Sequence, residues 1–274
     1  MSVPPSIEHY NLTQDQKKSY EQQGFLVIED FFTPEEHATF KAYTEECKNW
    51  KNEKGKWMQY YEVNKTTNEE QLCRTEFFTP YHDGLRSYVR SPRLMTLLNE
   101  LLDEEYILFK EKINYKLPGG GAFVPHQDCR AFTQFGQNTH MTVMFTVDST
   151  TDANGCLEVV PGSHANSYEN GLLPHATNEI HPDWVNEQKW TPVYLKPGSI
   201  LIFGAYLAHR SGDNNTDESR VAIYLTYNAL KEGDSHARYY QDKRDFFPPE
   251  YEREEGKDYS SGAKIYNYAT PIKM

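Results

Sequence analysis

Three residues of this 274-residue chain have the types and spacing to hold one metal ion: His126, Asp128 and, further along, His209. A histidine and an aspartate two positions apart at a strand end project to the same face, so an imidazole and a carboxylate can reach a common ion. If His209 adds the third donor, the set is two histidines and one carboxylate, with the far side of the ion open. That donor set suits a non-haem Fe(II) oxygenase.

With ten histidines present, an H-x-D triplet is weak evidence alone, and a second one stands at His181-Pro182-Asp183. The two differ in context. His181 lies in a polar stretch with no strand before it, and only 28 positions separate it from His209; His126 follows a predicted strand, and 83 positions leave room for intervening strands to return His209 beside it. His181-Pro182-Asp183 is therefore read as a helix start or turn. Eleven positions after His209, Arg220 opens an apolar run. An arginine there could pair with a surface carboxylate, but its distance from a metal histidine favours a sharper use. It would be the bidentate partner of a dicarboxylate's far end, with the Ser211 hydroxyl as a further donor.

The elements that must position these residues follow from pattern. Thr13 to Gln16 forms a capping box before a helix ending at Gly24, Phe25 to Ile28 reads as a buried strand, and Thr33-Pro34-Glu35-Glu36 starts a helix to about Lys48. Trp57 to Val63 is a candidate strand, Asn64 to Glu70 an exposed turn, and Thr79-Pro80 and Ser91-Pro92 each restart a helix. From Tyr106 the period changes. Ile107 to Lys116 alternates as a strand with Lys112, Asn114 and Lys116 on one face, and further short strands follow at 139–147, 157–160, 190–195, 199–203 and 220–228. Such a series indicates a β-sandwich or jelly roll. Residues 165–188 form a polar insert, a lid or a plain surface loop. Residues 238–244 suggest one short helix, and 246–274 show no clear element. The expected organisation is one domain over 1–274: a mostly helical scaffold to 104, a β core over 105–229 and a C-terminal extension over 230–274.

Composition narrows the function. Aromatic residues make up 14% of the chain, which argues against disorder, and a formal charge of -12 without any basic block argues against a nucleic-acid partner. No apolar run approaches a membrane span, and the start lacks a charged-then-apolar leader pattern, so a cytoplasmic protein is expected. Cys47, Cys73, Cys129 and Cys156 show no paired spacing and are read as reduced thiols, Cys129 as a small buried filler.

His126-x-Asp128, the run from Asn154 to His164 containing Pro161-Gly162-Ser163-His164, His209-x-Ser211-Gly212 and Arg220 together closely resemble the phytanoyl-CoA dioxygenase family of Fe(II)- and 2-oxoglutarate-dependent oxygenases. The resemblance covers roughly residues 24 to 228 in consistent order. It implies a double-stranded β-helix, cupin-like and mainly β, with helices packed outside. Iron would be held by His126, Asp128 and His209, and 2-oxoglutarate by Arg220 and Ser211, with Asn114 near its iron-binding end. The Pro-Gly-Ser-His turn is structural in the family, so His164 is not expected to bind metal. Related halogenases replace the carboxylate ligand with a small residue; Asp128 is present, so hydroxylation is implied, consuming O2 and 2-oxoglutarate and releasing succinate and CO2.

A coenzyme A thioester would call for basic residues to meet its phosphates, and no such cluster is apparent, which points to a small polar metabolite. Lys112, Lys116 and Arg130 lie close to the metal ligands in sequence and could bind an anionic head group, as could Arg74; each lysine taken alone is better read as a solvated strand-edge residue. Through residues 112–121 and 127–137 the chain looks most like the 2-aminoethylphosphonate dioxygenases, which hydroxylate the carbon next to phosphorus. Other readings are a hydroxylase of another small molecule or of an acyl-CoA, or a metal- or ligand-binding roll without activity. The last would not need Arg220.

Overall fold

Strands of one face alternate between the roll's interior and a coat of helices, and this alternation sets the architecture. The computed structural model describes residues 2–176 and 179–273. Its strands are β1 (Phe25–Ile28), β2 (Met58–Val63), β3 (Glu70–Glu76), β4 (Tyr106–Lys116), β5 (Phe123–His126), β6 (His140–Thr146), β7 (Leu157–Val159), β8 (Thr191–Val193), β9 (Ile200–Gly204), β10 (His209–Ser211) and β11 (Arg220–Ala229). The helices are α1 (Gln14–Gln23), α2 (Pro34–Lys48), α3 (Asp83–Val89), α4 (Pro92–Leu102), α5 (Pro182–Glu187), α6 (His236–Phe246) and α7 (Ser260–Tyr266). A seven-stranded sheet runs β1-β9-β6-β11-β4-β3-β2 and a four-stranded sheet β5-β10-β7-β8, with antiparallel pairing. This is the jelly roll expected from the sequence.

Within the large sheet, Ile113, Tyr115, Val143, Phe145, Ile200, Ile202, Val221, Ile223 and Leu225 pack outward with Phe40, Leu94, Leu97, Leu98 and Leu101 of α2 and α4. The intervening residues Met144, Leu201, Phe203, Ala222 and Tyr224 pack inward with Leu157, Val159 and Val193 of the small sheet. The same two-residue period sends Lys112 and Asn114 of β4 inward, where they line a cavity. The α4 leucines recur at helical spacing and are buried, each contributing roughly 2 kcal/mol. Thr13 and Thr33 close their predicted capping boxes, and His181 caps α5, the role expected of the second H-x-D triplet.

Four elements differ from expectation. β3 was not anticipated, because its buried positions include Arg74 and Glu76, which pair with each other instead of presenting an apolar face. Residues 1–104 therefore contribute three strands of the large sheet besides helices. Thr79 does not start a helix; its hydroxyl and amide both donate to the Glu111 carboxylate, and α3 begins after His82. β10 is a three-residue strand with no local signal. Finally, the C-terminal extension holds α7, whose Gly262 passes so close to Phe246 O that a Cβ would stand 2.0 Å from it.

That extension packs back on the core. Tyr239, Tyr240, Phe247, Ala263, Tyr266 and Ile272 join Met58, Tyr60, Phe109, Cys129 and Phe132 in one cluster, and Lys273 N donates to Tyr61 O at 2.8 Å. Gly121 lets the backbone run beside Pro271, 2.6 Å from where a Cβ would be. The insert 165–188 is described except for 177 and 178; it is anchored by buried Leu173 and Ile180.

Candidate active site

β5 ends at His126, and β10 sets His209 directly opposite it, so the two rings lie 4.1 Å apart between centroids. Asp128 is not on the strand. It opens a one-turn 3-10 helix (Asp128–Ala131), and this turn, not strand alternation, swings its carboxylate back to the histidines. Asp128 Oδ1 lies 3.6 Å from His126 Nε2 and 3.9 Å from His209 Nε2, and the three ligand atoms fall within 4.8 Å of one another.

The imidazoles are set for this use. His126 Nδ1 donates to Val124 O at 2.7 Å and His209 Nδ1 to Leu207 O at 3.0 Å. A carbonyl can only accept, so each Nδ1 carries the proton and each Nε2 offers its lone pair. Thr142 Oγ1 donates to Asp128 Oδ2 at 3.4 Å, leaving Oδ1 toward the histidines. Burial pushes the Asp128 carboxyl up, but His126, His209 and Lys112 outweigh it and hold it well below the usual range. Burial, with His126 beside it, lowers His209 to about 3 against the pull of Asp128. A neutral imidazole and an anionic carboxylate are the forms a divalent metal needs.

From these residues a cavity of about 380 Å³ leads past Lys112, Asn114, Leu157 and Phe203 to Ser211 and Arg220. Arg220 is 2% exposed, yet its Nε and Nη1 find no acceptor among the described residues. A guanidinium buried in this way is costly until a carboxylate answers it. Ser211 Oγ accepts from Lys116 Nζ at 2.8 Å, which turns the hydroxyl hydrogen away from Lys116. Asn114 Oδ1 accepts from Arg74 Nε at 3.0 Å, so its amide nitrogen is the end left for a ligand. The donor triad and the unanswered arginine fit iron and a dicarboxylate.

A second cavity, about 410 Å³, shares the His126 and Asp128 wall and is otherwise bounded by Arg74, Lys110, Lys112 and Lys243, with Tyr239, Tyr266, Tyr268 and Thr270 from the C-terminal extension. Lys112 and Arg74 thus both line a cavity that abuts His126 and Asp128. Lys116 does not line this cavity; it is 3% exposed and turned to Ser211 and Gly212 O. Arg130 lies with its guanidinium over the Tyr268 ring, 5.6 Å from the centroid. The strand-edge reading of Lys112 and Lys116 is corrected, because β4 is an interior strand between β11 and β3. Lys110 was missed although β4's period already pointed to it, two residues before Lys112. The tyrosines and Lys243 gave no local signal, since tertiary packing alone brings them here. His164 Nε2 donates to Glu21 O, far from any ligand role.

Among known proteins, the phytanoyl-CoA dioxygenase (PhyH) family profile matches residues 20–222. The chain is 40% identical over 261 residues to a 2-aminoethylphosphonate dioxygenase of the uncultured bacterium HF130_AEPn_1, covering 95% of this chain and 98% of that one. It is 37% identical over 237 residues to a methylphosphonate hydroxylase of Gimesia maris, covering 86% and 88%. Among solved structures, EctD from S. alaskensis with 2-oxoglutarate and 5-hydroxyectoine matches with a TM-score of 0.68 at 20% identity, over 84% of this chain and 83% of that one, a likeness of fold.

Proposed function

The chain belongs to the phytanoyl-CoA dioxygenase family, and from that premise we propose that it hydroxylates the carbon next to phosphorus in a small phosphonate, 2-aminoethylphosphonate first among them. It is an Fe(II)- and 2-oxoglutarate-dependent dioxygenase. The observation that carries the choice of substrate is the second cavity: it is small, it abuts His126 and Asp128, and Arg74, Lys110, Lys112 and Lys243 line it against a single carboxylate, Asp128. The relatives named for phosphonates agree with it.

His126, Asp128 and His209 would hold the iron; Arg220 and the Ser211 hydroxyl would hold the far carboxylate of 2-oxoglutarate, with Asn114 toward its other end. Once bound there, iron with 2-oxoglutarate and O2 supplies the oxidation of a C–H bond to C–OH, with release of succinate and CO2. The protein's own part is placement. Lys116 orients Ser211, Arg74 orients Asn114, and the tyrosines of the extension cover the cavity and exclude water. The whole of 1–274 is read as one oxygenase domain, because the extension completes the substrate cavity. The four cysteines are buried and unpaired, which suits a reducing, cytoplasmic setting.

Incubating the iron-loaded enzyme with 2-oxoglutarate and a panel of phosphonates, acyl-CoAs and amino alcohols tests this reading through succinate release and mass spectrometry. Phosphonate-stimulated succinate with one added oxygen in the phosphonate is expected. Succinate formation that no phosphonate stimulates would count against it.

A further inference from the structure

We infer that the second cavity is an oxyanion cradle in which Lys110, Lys112 and the unpartnered Nη2 of Arg74 grip the phosphonate, while the 2-amino group is tolerated without being recognised. The inference rests on the phosphonate reading above and goes beyond it by saying which end of the substrate is selected.

The charge census of the cavity carries it. Lys110 and Lys112 follow each other on the inner face of β4, and Arg74 of β3 sits opposite Asn114 of the same strand. Arg74 is 3% exposed; its Nε and Nη1 are taken by Asn114 and Glu76, and Nη2 has no acceptor among the described residues. Glu76 is committed twice over, to Arg74 at 3.1 Å and to Lys243 at 2.7 Å through both oxygens. Lys110 and Lys112 have no ion-pair or hydrogen-bond partner among the described residues. Lys110 Nζ instead lies over the Phe132 ring at 4.1 Å, and Lys112 Nζ lies 5.3 Å from the Tyr224 centroid. With Lys243 answered by Glu76, the one carboxylate left near Lys110 and Lys112 among the cavity's lining residues is Asp128, which is turned to the two histidines. Three donors converging from two adjacent strands match the several acceptor oxygens of a phosphonate.

The other end of the cavity offers an ammonium little. The only carboxylate among its lining residues is Asp128, which belongs to the metal triad. The remaining polar groups include the tyrosines and Thr270, and Tyr266 is already engaged with Asp242. Buried Tyr268 Oη has no partner among the described residues, but a phenol is a weak substitute for a carboxylate toward an ammonium. Discrimination should therefore lie in phosphorus and not in nitrogen.

The test is calorimetric titration of the anaerobic Fe(II)- and 2-oxoglutarate-loaded enzyme with 2-aminoethylphosphonate, ethylphosphonate and ethanolamine. The two phosphonates should bind within about tenfold of each other, and ethanolamine should not bind, because losing the anion forfeits charge-assisted bonds worth about 10- to 100-fold in affinity each. Lys110→Met and Lys112→Met should each weaken both phosphonates by about 10- to 100-fold by the same reckoning, and Lys110→Arg should recover part of the loss. The visible band of the Fe(II)–2-oxoglutarate complex, measured on each variant, certifies that fold and metal site survive. Ethylphosphonate binding more than a hundredfold weaker than 2-aminoethylphosphonate overturns the claim about the amine. Unchanged phosphonate affinity in both methionine variants overturns the cradle while leaving the substrate standing; no phosphonate binding by the wild-type enzyme overturns the substrate itself.

Discussion

Gln127 Oε1 accepts a hydrogen bond from the Leu173 amide at 2.8 Å. The same side chain donates through Nε2 to Gly171 O at 3.0 Å and Tyr206 O at 2.7 Å. The middle residue of the metal triplet thus ties both the 165–188 insert and the loop before His209 to the turn that carries Asp128. Gln127→Leu strands the Leu173 amide and the Tyr206 carbonyl, while Gly171 O keeps its bond from Asn166 Nδ2 at 2.9 Å. It should cost about 3 kcal/mol in urea unfolding of the metal-free protein and weaken Fe(II) binding about tenfold. An unchanged unfolding midpoint would show that the insert is held by its apolar contacts alone.

Arg220 gives a prediction of opposite sign. Since its guanidinium is buried with no ion-pair partner among the described residues, Arg220→Met should leave the ligand-free protein at least as stable as wild type. It should also weaken 2-oxoglutarate about 100-fold through loss of a bidentate charged pair. Thermal melts resolve both effects: 2-oxoglutarate should raise the wild-type midpoint and not that of the variant. A variant still stabilised by 2-oxoglutarate would remove Arg220 from the co-substrate site.

His140 sets an acid limit. Burial, reinforced by Lys110 and opposed by Asp128, lowers it to about 3, and its ring is wedged between Phe109 and Phe132. As pH falls below 6.5 the unfolded chain takes up a proton that the folded chain refuses until about 3. Stability is therefore full above 6.5 and lost through that window, by up to about 1.4 kcal/mol per pH unit for one proton. His140→Leu should flatten this part of the stability curve, measured by denaturant titration at a series of pH values. Parallel curves for variant and wild type would exclude His140 as the source.

Lys243 and Glu76 form a buried pair, 1% and 3% exposed at their side chains. Lys243→Met leaves Glu76 with Arg74 as its remaining ion-pair partner and should destabilise the fold by about 3 kcal/mol. Adding Glu76→Gln should restore part of that loss. The four midpoints of this cycle give the coupling directly, and additive effects would mean that the two side chains stabilise the fold independently.

How much of this was legible in the sequence depended on what holds each residue in place. His126 and Arg220 stand at strand ends and Asp128 in the turn just after one, so their types and distances could be read, whereas His209 was legible by its type and its distance from His126 and not by any pattern of β10. Lys116 shares the inward face of Asn114, but its Nζ is taken up by Ser211 and Gly212 O, a tertiary contact that adjacency to Asn114 does not reveal. β3 was hidden since Arg74 and Glu76 satisfy each other inside the protein, and buried charge looks like surface in a sequence. α7 has a glycine in its middle and two serines at its start; only its packing against Phe246 and Tyr239 makes it a helix.

The division of labour along the chain bears on how such enzymes diversify. The residues suited to iron and 2-oxoglutarate lie between Asn114 and Arg220, on strands or, for Asp128, in the turn after β5, whereas Ile265, Tyr266, Tyr268 and Thr270 line the second cavity as its roof from the C-terminal stretch that packs back on the core. Substitutions in the roof can reshape what is admitted while leaving the oxygen chemistry untouched. β4 is the exception: it carries cradle lysines and Asn114 on one face, so a one-residue insertion there would turn both functions outward together. Selection can therefore explore new substrates through the roof far more freely than through this strand.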